Sequence, residues 1–166
     1  MRDARDWSLG EQDASRIGTA LDALLREAGA LHTLLIDRTG QLVSSAGLSP
    51  DFDATTFASL AAADFAANEQ LAGLVGEGDF ASLTHQGARS SALLADVGGR
   101  AILAVVFDGG VTLGMVRIRV RRALPELRGM VEQALSRPPA DRRVPELGAG
   151  WSDEAEGEID RLFGVR

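Results

Sequence analysis

The 166-residue chain carries 17 Lys or Arg against 24 Asp or Glu, a formal net charge of −7, and no cysteine. Without thiols there are no disulfides, thiolate nucleophiles or cysteine-ligated metals, and an acidic chain lacks the cationic surplus that drives non-specific nucleic-acid binding. Every basic residue is arginine, so neither the lysine of a standard phosphate-binding loop nor a Schiff-base lysine is available.

The length fits one domain of about 100 to 150 residues with appended sequence. No apolar run approaches the roughly 18 to 20 residues that cross a bilayer, and the opening "MRDARDWSLG" lacks the apolar stretch of an export signal. A cytoplasmic protein without membrane insertion is the expectation. After an N-terminal segment, 1–10, residues 11–28 place Ile17, Leu21, Leu24, Leu25 and Ala28 at offsets 0, 4, 7, 8 and 11, one face of a helix that Gly29 stops. "LHTLLID" (31–37) and "QLVSSA" (41–46) flank the turn "DRTG" and read as a β-hairpin. His32 at its edge is a packed or solvated residue, because one imidazole makes no metal site.

Asp53 is a candidate N-cap for a long Ala-rich helix, 54–75. Its larger apolar residues, Phe57, Leu60, Ala61, Leu71, Ala72 and Val75, form the stripe expected to cover a sheet. The other side carries Ala58, Ser59, Ala62, Ala66, Glu69 and Gly73, with Ala63, Ala67 and Gln70 nearby. A row of small residues is either a face against which something packs closely or simply good helix-forming sequence on a surface. Asp64 and Asn68 fall within the larger stripe, so they pair with polar groups beneath or mark where the helix leaves its sheet.

Three strands follow, 80–86, 90–97 and 100–108, joined by the short links "GAR" and "GG" that favour an antiparallel meander. The third is apolar throughout and belongs at the sheet centre. "MVRIRVR" (115–121) alternates like a strand, yet Leu113, Val116, Val120, Leu124, Leu127, Val131 and Leu135 continue at helical spacing, and length favours a helix despite Pro125. A Pro-rich linker, 138–150, leads to an acidic amphipathic segment, 151–166, with Trp151, Ile159, Leu162 and Phe163 on one side as candidate contacts. A helix that short needs a surface to dock on. Charge is uneven along the chain: no basic residue lies between Arg38 and Arg89, whereas eight arginines from Arg117 to Arg143 face Glu126, Glu132 and Asp141. Opposite-sign faces favour protein partners.

The order helix, hairpin, long helix, meander, helix resembles the Roadblock / dynein light-chain domain over residues 11–137. "LLIDRTG", "LAAADFAANEQLAGLVGEGDF", "HQGAR" and "VVFDGGVTLGMVRIR" are similar to their counterparts in its bacterial MglB branch. The resemblance implies an α+β fold, a five-stranded antiparallel sheet with the long helix on one face and two helices on the other, and it assigns "MVRIRVR" to a helix. It further implies a homodimer joined through sheet edges and Ala-rich helices, which activates a Ras-like small GTPase of the MglA type without catalytic residues, cofactor or metal of its own. Its dimer and partner contacts would fall on Ala58, Ser59, Ala62, Ala63, Ala66, Ala67, Glu69, Gln70 and Gly73. The alternatives are a non-catalytic Roadblock scaffold, and an enzyme with His85 as base oriented by Asp37 or Asp96. Arg89, after a turn, is either a solvated residue or an arginine finger.

Overall fold

The computed structural model describes residues 10–136; the segment 1–9, the linker 138–150 and the tail with Trp151, Ile159, Leu162 and Phe163 lie outside the described residues. The elements are α1 (Glu11–Ala28), β1 (His32–Asp37), β2 (Leu42–Ala46), α2 (Ala54–Leu74), β3 (Ser82–Gln86), β4 (Ser90–Val97), β5 (Ala101–Asp108) and α3 (Leu113–Ser136). The strands form one antiparallel sheet in the order β2-β1-β5-β4-β3. β5, buried from Ala101 to Phe107, is central as its composition requires.

Alternation along the strands divides the core in two. Leu35, Leu93, Ala95, Leu103 and Val105 point to the face covered by α1 (Ile17, Leu21, Leu24) and α3 (Val116, Val120, Leu127, Val131). Leu34, Ile36, Leu94, Ile102 and Ala104 point to the face covered by α2. The strand-like arginines of 117–121 therefore lie on a helix, where Val116 and Val120 are buried four residues apart and Arg117 and Arg121 face outward. Pro125 sits on the exposed side, where water can reach the Arg121 carbonyl left without its helical donor.

Two local devices fix the frame around α2. In the β1–β2 turn the buried Asp37 carboxylate accepts hydrogen bonds from Thr39 N (2.8 Å), Thr39 Oγ1 (2.7 Å) and Gln41 N (2.8 Å). Asp37→Ala would strand these donors, and we expect a loss of roughly 2 to 4 kcal/mol in urea-unfolding stability. At the other end, Asp53 caps α2 by accepting from Thr56 N at 3.0 Å. Hydrogen bonding by the Thr56 side chain and then its backbone holds the Asp53 carboxyl below its ordinary value. The cap therefore contributes fully above the ordinary aspartate range and is lost as pH falls through the lowered value.

Candidate functional site

The Ala-rich helix is seated differently from the expectation. Ala58 (0 % exposed), Ala61, Ala62 (4 %) and Phe65 face the sheet, at offsets 0, 3, 4 and 7. Ala58 and Ala62 are thus removed from the predicted partner face, because they pack inside the domain. The reason is steric: this face of the sheet already presents Leu34, Ile36, Leu94 and Ile102, so small helix residues let the backbone settle close, and one large ring fills the remaining space. The β1–β2 turn comes equally near. A Cβ on Gly40, whose φ is +92°, would stand 2.9 Å from Ser59 Cα and 3.6 Å from Ala62 Cβ.

The opposite side of α2 presents Leu60 (66 % exposed), Ala63, Ala67, Leu71 (59 %) and Leu74 (83 %), at offsets 0, 3, 7, 11 and 14. Leu60, Leu71 and the exposed Val75 were expected against the sheet; instead they form or continue an outward apolar stripe. Ser59, Ala66, Gln70 and Gly73 are exposed along its flank, whereas Glu69 is half-buried. A helix apolar on both sides satisfies its own core with one stripe and leaves the second without a partner among the described residues.

Polar contacts tie this helix to the sheet. Arg38 Nη2 donates to Asp96 Oδ1 at 2.5 Å and Nη1 to Glu69 Oε2 at 3.3 Å, while its guanidinium lies 5.1 Å from the Phe65 ring centroid. The two ends of the sheet's turn region and the middle of α2 thereby meet at one cation. Beyond it, Asp64 Oδ2 lies 2.7 Å from His85 Nε2 on β3, and Asn68 Nδ2 donates to Asp64 Oδ1 at 3.0 Å. Asp64 does pair with a polar group of the sheet, on the flank facing β3, whereas Asn68, one helical turn on, bonds back to Asp64.

These bonds dispose of the proposed catalytic arrangement. Asp37 is occupied by its own turn, Asp96 by Arg38 and by Gly99 N (2.9 Å), and neither orients His85. His85 instead bridges to α2 through Asp64. Arg89 lies exposed in the β3–β4 turn. His32 is a packed residue: its Nδ1 lies 2.7 Å from the Gly47 carbonyl oxygen, and its ring stacks on Phe52 at 4.1 Å. Among the described residues no group of three His, Asp or Glu is placed to hold a metal ion, and no helix is long and apolar enough to cross a membrane.

β3 closes the site. Among the described residues it pairs only with β4, so its other edge carries backbone donors and acceptors outside the ladder. The Asp64–His85 bond joins that edge to α2, and on the reverse face Arg117 Nη2 donates to Thr84 Oγ1 at 3.4 Å. An apolar helix stripe and an unpaired strand edge therefore lie on neighbouring, mutually braced elements.

The profile of the Roadblock/LC7 domain matches residues 16–107. Among solved structures, Myxococcus xanthus MglB is 40% identical, with a TM-score of 0.69 over 72% of this chain and 97% of that one. The gliding protein MglB of Thermus thermophilus is 33% identical, with a TM-score of 0.71 over 77% of this chain and 98% of that one. An MglB described in a tetrameric arrangement is 34% identical, with a TM-score of 0.72 over 78% of this chain and 98% of that one. Fold, element order and sequence agree: the chain belongs to the Roadblock/LC7 family, and its likeness within that family is to MglB.

Proposed function

We propose that the chain is a homodimeric regulator of a small Ras-like GTPase, an MglB-type GTPase-activating protein that works by binding and remodelling the GTPase. The observation that carries this reading is the outward stripe Leu60–Ala63–Ala67–Leu71–Leu74 beside the free β3 edge, on a chain 40% identical to an MglB over 72% of its length. Two copies joined at β3 would bring their α2 helices together, with Ser59, Ala66, Gln70 and Gly73 at the margins of a shared platform. The tetrameric arrangement described for an MglB supports association between copies.

Activation in this reading needs no catalytic group from the platform. A dimer that binds the hydrolysis-competent arrangement of the GTPase more tightly than the resting one shifts its population. About 1.4 kcal/mol of differential binding is enough for a tenfold acceleration. The test is single-turnover GTP hydrolysis by an MglA-type GTPase with and without the chain. Acceleration that persists in Arg89→Ala is the expected result. Binding without acceleration would replace the reading with a Roadblock scaffold, and acceleration lost with binding intact in Arg89→Ala would make Arg89 a finger.

A further inference from the structure

The face of the domain opposite α2 carries a second surface, on the first half of α3. Met115 and Ile118 are half-exposed there, although Val116 and Val120 on the same two turns are buried. Arg121, three residues after Ile118, and Arg122, four after Ile118 and seven after Met115, flank the two apolar side chains, and Arg117 lies on the side of the helix toward β3. Among the described residues no carboxylate pairs with any of these three guanidinium groups; the single polar contact found for them is Arg117 to Thr84. A chain of net charge −7 has concentrated unpaired cations around apolar atoms at one place.

We infer that this surface binds an acidic amphipathic helix of a partner protein. Its size excludes a second copy of the chain: Met115 to Arg122 is two helical turns, about 10 Å, whereas a stable dimer buries about 800 Å² on each partner. A bilayer is a poorer match. Three arginines gain about 1 kcal/mol each at an anionic membrane, the rest of the molecule is acidic, and the broad Trp, Phe and Leu face of an interfacial helix is lacking. A short helix suits the surface on both counts. Its apolar residues, one turn apart, meet Met115 and Ile118, and its carboxylates meet planar guanidinium groups that accept them in bidentate geometry. Because α2 and α3 cover opposite faces of the sheet, the helix and a partner on the α2 stripe can be held at once, and neither reading depends on the other.

The probe is a short fluorescent peptide helix with Leu along one face and Glu on the flanks, titrated into the full chain by anisotropy. Binding should weaken with salt and fall about tenfold or more in the R121E/R122E variant, the loss of two exposed ion pairs and gain of repulsion. Replacing the probe's Glu by Lys should restore binding to that variant, which a misfolded protein could not do. Leu71→Glu, on the other face, should leave probe binding unchanged. Absence of binding, equal binding by R121E/R122E, loss in Leu71→Glu, or sedimentation with phosphatidylserine vesicles in preference to the peptide would each overturn the assignment.

Discussion

Arg in place of Ala62 should detach α2 from the sheet. Ala62 is 4 % exposed and lies beside the point where Gly40 meets the helix, so a long side chain there is driven against the β1–β2 turn and the sheet. Overpacking costs about 1 to 3 kcal/mol, and an unpaired buried cation several more. A domain of this size has only about 5 to 15 kcal/mol in hand. The expected result is an unfolded or partly unfolded chain by circular dichroism, with fast amide exchange throughout α2. A well-folded Ala62→Arg monomer that had lost only partner binding would instead restore Ala62 to the outward face. Ala66, exposed one turn later, should accept the same replacement without loss of fold, so the two variants read the phase of the helix directly.

Leu71→Glu should do the converse. Leu71 is 59 % exposed, and substitutions at such positions usually change the stability of the folded monomer by within about 0.5 kcal/mol, so the monomer should stay folded. Association should not survive. Burying a leucine side chain contributes about 1.5 to 3 kcal/mol, and a two-fold interface uses each residue twice. The dimer is thus expected to weaken by roughly 3 to 6 kcal/mol, a hundred- to ten-thousand-fold in Kd. On the proposed function, sedimentation velocity should find a folded monomer, and acceleration of GTP hydrolysis should vanish with the proposed dimer. An unaltered dimer would remove the α2 stripe from the interface.

The fold was legible because each element carries its own signal. Ile17, Leu21 and Leu24 repeat at helical spacing, "DRTG" and "VGG" are turn chemistry, and β5 is apolar enough to be recognised as central. Family resemblance settled α3, whose Arg–Val alternation imitates a strand, and supplied the joining of the strands into one sheet with helices on both faces. The candidate site was harder to read, and the reason lies in α2 itself. Ala58–Ala61–Ala62–Phe65 and Leu60–Ala63–Ala67–Leu71–Leu74 are both apolar, so hydrophobic periodicity does not tell inside from outside. Size misleads as well, since the usual association of large residues with the core is reversed where a sheet face is already crowded. The evident clue was the position of Phe65, which completes a buried stripe only in company with the three alanines. Pairings such as Asp64 with His85 or Arg38 with Asp96 join residues distant in sequence, and no local pattern announces them.

The central place of β5 also sets the timing of folding. Leu34 of β1 hydrogen-bonds beside Ala104 of β5, and Leu94 of β4 flanks it from the other side. Until that strand leaves the ribosome, β1–β2 is a hairpin open at both edges, and two strands alone are marginal in water. At about 5 to 20 residues per second, the interval between synthesis of β1 and β5 lasts roughly 4 to 14 s. Once α2 has emerged, in the later part of that interval, the apolar strand "TLLI" and both stripes of α2 await the central strand together. One late strand then closes the sheet, so a nascent chain of this protein passes through its most adhesive state just before it becomes a domain.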